Sequence, residues 1–126
     1  MASVAQPERK LRSFQISAVN SAADSKGSIH DDEKAREMGY EGGFVPGPTV
    51  LGYMSRLMRE TFGRNWLSDA TFSGRVRRPV YEGTMVTVEG QVVEGPDELG
   101  RVVVELRVVS PTKEVLAEAQ ASCNSR

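Results

Sequence analysis

The amino-acid sequence predicts an α+β protein in which an antiparallel sheet wraps around one central apolar helix. From Pro48 to Phe62, apolar residues recur at the three- and four-residue steps of a helix that buries one broad face. Nearly everything after Trp66 alternates between apolar and polar residues or is rich in valine, as strands are. One apolar helix and one curved sheet can bury each other's apolar faces.

The chain before the central helix predicts two smaller elements. Residues 11–19 alternate and indicate a strand, and a polar loop follows. A helix of about two turns is predicted from His30 or Asp31 to Met38, because acidic residues crowd its start. Pro48 then suits the first turn of the central helix, since its φ angle is fixed and it lacks an N–H group.

Four strands are predicted after the central helix, joined by turns that contain glycine or proline: 71–81, 85–93, 101–109 and 115–123. Three consecutive hairpin-type connections predict an antiparallel meander. A central helix wrapped by such a sheet is the hotdog architecture. The 126 residues suit a single hotdog domain over 11–126, preceded by a flexible leader over 1–10.

Composition excludes several classes of function. The net charge of −1 supplies no general attraction to nucleic acid or to an anionic membrane surface. No apolar run is long enough to span a bilayer. Cys123 is the only cysteine, which rules out an intrachain disulfide, and its place on an alternating strand favours packing. A cytoplasmic protein is the simplest interpretation.

His30 is the only histidine, and its surroundings are the most informative feature for function. It ends a polar stretch and is followed by a glycine-rich turn over residues 39–49 that leads into the central helix. Imidazole is the side chain whose unperturbed pKa lies near neutrality, so His30 is the natural candidate for moving protons.

Three blocks of sequence resemble the MaoC-like hydratase/dehydratase family, which includes R-specific enoyl-CoA hydratases and has the hotdog fold. Residues 29–40 are similar to its His-x-Asp-x-x-x-Ala-x-x-x-Gly-Phe run, 43–52 to its glycine turn and helix start, and 77–88 to its strands around Pro-Val-x-x-Gly. The loop that leads to His30 departs from the family's pattern. The family's aspartate stands five residues before the histidine, with Asn-Pro between them, whereas Asp24 stands six before His30 and Asn-Pro is missing. The chain therefore resembles a divergent branch.

The resemblance implies an enzyme that interconverts 2-enoyl and 3-hydroxyacyl thioesters of coenzyme A or an acyl carrier. This reaction needs a base for water, an acid for the α-carbon, and donors for the thioester oxygen. His30 with Asp24 or Asp31 would activate the water. The main-chain N–H groups of Gly47 and Thr49, at the positive end of the central helix, would hold the oxygen.

Ordinary structural roles compete with these assignments. His30 also suits a helix start bonded to the loop, Asp31 a helix cap, and Asp24 a turn cap. A basic cluster would either meet the phosphates of coenzyme A or form a solvated strand face: Arg75, Arg77 and Arg78. No cofactor is predicted, and a metal site is disfavoured because the one histidine has no cysteine nearby.

Two other functions stay open beside the hydratase or dehydratase. One is a thioesterase on the same fold, in which water attacks the carbonyl carbon and not the β-carbon. The other is a non-catalytic acyl-binding or partner subunit, which the missing Asn-Pro and the shifted Asp24 favour. A homodimer is also predicted, because a small hotdog domain leaves strand edges open. The resemblance implies that its active sites lie at the dimer interface.

Overall fold

A computed structural model describes residues 9–126 and contains five strands and three helices in that range: β1 (Phe14–Ser17), α1 (Asp32–Glu37), α2 (Gly47–Phe62), α3 (Arg64–Ser68), β2 (Thr71–Val76), β3 (Met85–Glu94), β4 (Arg101–Val109) and β5 (Val115–Asn124). Residues 1–8 of the predicted leader lie outside the described residues. Arg9 and Lys10 already contact β3, since the Arg9 side chain donates to the carbonyl of Val92 and Lys10 bridges to Gln91.

The helix α2 lies against the concave side of one five-stranded antiparallel sheet, which confirms the predicted α+β hotdog fold. Val50, Met54 and Met58 on its inner face are fully buried among the inward-facing residues of the strands. Cys123 is also fully buried, as its packing role predicts. The outer face of α2 is charged, and no helix in the described part of the chain is long and apolar enough to cross a membrane.

The order of the strands, β1-β3-β4-β5-β2, corrects the predicted meander. Only β3, β4 and β5 follow one another through hairpins. The strand β2 pairs with β5, with Phe72 opposite Ala121, and β1 pairs with β3, with Phe14 opposite Val88. The alternation in β2 indicates which residues face the core, but carries no information on the partner strand. The assumed hairpin between β2 and β3 was therefore wrong.

The connection between β2 and β3 crosses from the β2 edge of the sheet to β3, which lies beside the opposite edge strand, β1. The predicted strand over 71–81 ends at Val76, because the N–H groups of Arg77 and Arg78 both turn to the carbonyl of Leu116. Pro79 follows and has no N–H group with which to continue a ladder. The crossing residues then run beside the glycine-rich turn, where Val45 donates to the carbonyl of Val80. This path brings residues 80–84 to the candidate site.

Candidate active site

His30 lies at the end of the polar loop, half-buried, with its imidazole held by the main chain of the glycine-rich turn. Its Nδ1 atom is 2.8 Å from the carbonyl oxygen of Phe44. A carbonyl oxygen only accepts hydrogen bonds, so Nδ1 carries the hydrogen. In the neutral ring Nε2 is then the unprotonated nitrogen, free to accept a proton. The contact with the Phe44 carbonyl therefore makes Nε2 the ring nitrogen that could act as a base.

The main chain around His30 is equally constrained. The His30 N–H donates to Ser28 Oγ at 3.2 Å, and the His30 carbonyl accepts from Asn20 Nδ2 at 2.8 Å. The neighbouring carbonyl of Ile29 accepts from the Phe44 N–H at 2.9 Å. The ring therefore projects from a backbone that is fixed on both sides.

The two aspartates after His30 contact different parts of the chain, since Asp31 contacts the polar loop and Asp32 the glycine-rich turn. Asp31 occupies the N-cap position of α1, but its side chain makes no capping bond there and instead accepts weakly from Gly27 N–H, at 3.4 Å. Asp32 Oδ1 accepts from the Gly43 N–H at 2.7 Å. Neither carboxylate hydrogen-bonds the His30 imidazole, so both act on the scaffold of the site in this structure.

Asp24 is exposed on the loop. Its carbonyl accepts from the Lys26 N–H at 2.9 Å, and its carboxylate makes no hydrogen bond within residues 9–126. The position five residues before His30 is Ser25, whose carbonyl accepts from the main chain and the hydroxyl of Ser28. The extra loop residue is thus absorbed in a serine turn, and no carboxylate is brought to the imidazole.

The start of α2 offers one main-chain donor to a ligand. The Thr49 N–H already donates to the carbonyl of Pro46 at 3.0 Å, and Pro48 has no N–H group. The Gly47 N–H finds no acceptor in the described part of the chain. Gly47 lies three positions after Phe44 in the chain, a span of at most about 11 Å. Of the two predicted oxygen-holding amides, the geometry favours Gly47.

An aromatic row lies beside the His30 loop. The rings of Tyr40 and Phe44 meet edge to face at 4.6 Å between centroids, and Phe44 meets Tyr81 in the same way at 5.8 Å. Ile29 and Met38 add partly exposed apolar surface nearby in sequence. An imidazole flanked by apolar surface suits a substrate that is itself partly apolar.

The predicted basic cluster lies at the end of β2 and is already paired with carboxylates. Arg75 and Arg77 both contact Glu118 at 3.2 Å, and Arg78 contacts Glu114 at 3.2 Å. The hydrogen bond from Arg75 lowers the pKa of Glu118 from its usual value, with a further contribution from Arg77. All three guanidinium groups are largely exposed. Their role in binding phosphate stays a prediction.

Three residues of the site escaped sequence reasoning: Asn20, Gly43 and Phe44. The Phe44 carbonyl accepts from the His30 imidazole, and the Asn20 side-chain amide donates to the His30 carbonyl. Neither contact can be predicted from the periodicity of apolar residues. Gly43 belongs to a glycine-rich turn, and this was the one available signal of a close approach. Among residues 9–126, no three histidine, cysteine or carboxylate side chains are arranged to hold a metal ion.

Known proteins resemble this chain in structure but not in sequence, since no family model and no curated protein matches it. Its structure is similar to that of the ChsH1-ChsH2 complex from Mycobacterium tuberculosis, with 21% identity, full coverage of both chains and a TM-score of 0.76. An (R)-hydratase from A. caviae involved in PHA biosynthesis matches with 18% identity over 99% of this chain and 98% of that one, at a TM-score of 0.75. A MaoC-like dehydratase matches with 16% identity over 99% of this chain and 41% of that one, also at 0.75. The predicted resemblance to MaoC-like proteins is confirmed in the fold.

Proposed function

We propose that the protein is a hydratase or dehydratase of an acyl thioester, with His30 as the group that moves the proton. The observation that carries this proposal is the hydrogen bond from His30 Nδ1 to the Phe44 carbonyl, at 2.8 Å, because it leaves Nε2 as a proton acceptor. The hotdog fold shared with an (R)-hydratase and a MaoC-like dehydratase supports the class of reaction. We propose that coenzyme A or an acyl carrier protein carries the acyl group, as the resemblance in sequence implies.

A single imidazole can account for the proton balance of hydration. Water donates one proton to His30 Nε2 while its oxygen forms a bond to the β-carbon of the 2-enoyl group. The π electrons of the double bond move toward the α-carbon and the thioester oxygen, which becomes enolate-like. The Gly47 N–H and the positive end of α2 stabilise that oxygen. The imidazolium then returns its proton to the α-carbon, so that one water molecule has been added.

A non-catalytic acyl-binding subunit is the second candidate, and the exposure of Asp24 favours it. In the family pattern an aspartate precedes the histidine by five residues, whereas this chain has Ser25 there and no carboxylate on the imidazole. Such a protein would keep the fold and the thioester site but would not turn the substrate over.

Incubation of the pure protein with crotonyl-CoA distinguishes these functions. Hydration removes the conjugated enoyl absorbance without releasing a thiol, whereas a thioesterase releases free coenzyme A, which a thiol reagent detects. We expect loss of absorbance with no thiol release. Saturable binding of crotonyl-CoA with neither signal would support the acyl-binding subunit and refute the hydratase.

We further propose a homodimer formed through β2. Its outer edge pairs with no strand in residues 9–126, and the six-residue strand contains no proline or bulge that would block a partner. The other edge strand, β1, has only four residues. Two copies of β2 placed side by side would continue the antiparallel sheet across both subunits.

Light scattering and hydrogen exchange test the dimer together. We expect a mass of twice 13.8 kDa at micromolar concentration. In a monomer only every second amide of residues 71–76 bonds to β5, so slow and fast exchange alternate. In the proposed dimer all six amides exchange slowly. A monomeric mass, or alternating exchange in a dimer, would exclude pairing through this edge.

A further inference from the structure

Asn20 stands out as a buried polar residue whose bonding groups are all engaged. Only 6% of it is exposed, and it is the one buried polar or charged residue among the described residues. Its N–H donates to Glu82 Oε1 at 2.9 Å, and its Oδ1 accepts from the Ala22 N–H at 3.1 Å. Its Nδ2 donates to the His30 carbonyl at 2.8 Å. Burying an amide is costly unless such bonds are made, so these contacts fix where Asn20 lies.

The His30 carbonyl is closely packed between the side-chain amide of Asn20 and the main chain of Gly43. A Cβ atom on Gly43 would lie 2.1 Å from that carbonyl oxygen and 3.0 Å from Asn20 Nδ2, so only glycine fits. Phe44 follows directly and supplies the carbonyl that accepts from the His30 ring. Gly43, which packs against the His30 carbonyl, and Phe44, whose carbonyl accepts from the imidazole, are therefore adjacent residues of one turn. The Gly43 N–H donates to Asp32, which ties this turn to α1.

We infer that Asn20 is a positioning residue for His30. By holding the His30 carbonyl against Gly43, its amide places the ring where Nδ1 reaches the Phe44 carbonyl, and so selects the tautomer with the hydrogen on Nδ1. Its value for catalysis rests on the proposed function, since a general base needs an unprotonated Nε2. Asn20 itself touches no reacting atom. Sequence alignment to the family's aspartate would not find it, because it acts through the main chain.

The single histidine gives a test that needs no substrate. Uniform ¹⁵N labelling yields one imidazole in a long-range ¹H–¹⁵N spectrum, in which the protonated nitrogen of the neutral ring is read directly. When the ring is neutral, we expect hydrogen on Nδ1 in the wild type. Asn20→Asp keeps the shape and the acceptor for Ala22, but puts an oxygen against the His30 carbonyl. We expect this variant to lose the preference for Nδ1.

Glu82→Gln is the matched control. It keeps an oxygen for the Asn20 N–H and leaves the contact from Asn20 to His30 intact, so its imidazole spectrum should equal that of the wild type. If the wild type hydrates crotonyl-CoA, Asn20→Asp should lower kcat by at least tenfold with little change in KM. A merely structural role would lower the fraction of folded protein and leave the kcat of the folded fraction unchanged.

Several outcomes would overturn the inference. One is a wild-type ring with its hydrogen on Nε2. Another is a folded Asn20→Asp protein that keeps the wild-type imidazole spectrum. If Asn20→Asp and Asn20→Ala both fail to fold, Asn20 is a folding residue and the positioning role is rejected. A wild type without hydratase activity but with the expected spectra would reject the proposed function alone.

Discussion

Replacing His30 with alanine should lower the rate of crotonyl-CoA hydration by about two to four orders of magnitude, the usual scale for a positioned general base. The loss should appear in kcat, because in the proposed mechanism the imidazole acts on the water and the α-carbon and contributes little to binding the carrier. The fold should persist, since the ring is half-buried and its removal frees only the Phe44 carbonyl, at a net cost of about 1 kcal/mol. Steady-state kinetics and far-UV circular dichroism measure both effects.

Asp24→Asn is the comparison variant for His30→Ala. The Asp24 carboxylate is exposed and makes no hydrogen bond to the imidazole, so we expect its activity to stay near that of the wild type. A loss as large as that of His30→Ala would place Asp24 in the reaction, as the family resemblance implies. Full activity of a His30→Ala protein on a verified substrate would defeat the assignment of the base.

Gly43→Ala should lower the free energy of unfolding by about 2–5 kcal/mol. The new Cβ would overlap the His30 carbonyl oxygen, since only 2.1 Å would separate them, and neither belongs to a flexible side chain. Overpacking of this kind costs about 1–3 kcal/mol, and displacing the carbonyl leaves the buried Asn20 amide unpaired at a similar cost. Urea denaturation, analysed with the slope checked for constancy, measures the change.

Gly52→Ala makes the same chemical change at a position that should respond in the opposite direction. Gly52 lies inside α2 on its exposed face, and a Cβ there would meet no atom within 4 Å. Alanine is the better helix former by about 1 kcal/mol, so this variant should be slightly more stable than the wild type. If both variants changed stability by the same amount, the close approach at Gly43 would not be the cause.

Local patterns predicted every element of the described chain except the short helix α3, because most of the predicted elements show a pattern that reports a buried face. The recurrence of Val50, Met54 and Met58 identified α2, and alternation identified the strands. The partner of β2 was not predictable in this way, because pairing depends on the path of residues 77–84 across the sheet. That path is set by contacts with Leu116 and Val45, which are distant in sequence.

At the candidate site, sequence reasoning can single out only residues whose side-chain chemistry is distinctive. His30 was singled out because imidazole is distinctive, and the acidic residues after it were expected at a helix start, where Asp32 lies. The contacts that orient the ring involve the main-chain atoms of Phe44 and a single amide of Asn20, which any sequence could supply. The Asp24 carboxylate could in principle partner an imidazole, but the turn at Ser25 leaves it exposed to solvent. The number of residues between Asp24 and His30 does not reveal how the loop folds.

The interior position of β5 in the sheet has a consequence for how the protein folds during synthesis. This strand follows all the others in the chain, yet it lies between β4 and β2 in the sheet. During synthesis, β2 therefore has no partner and α2 lacks part of its cover until residues 115–124 have left the ribosome. The hairpins of β3, β4 and β5 close short loops, whereas β1 and β2 must join across long ones, which slows folding. The apolar face of α2 thus lacks its full cover until β5 has been made, and we expect chaperones to bind the nascent chain at that helix.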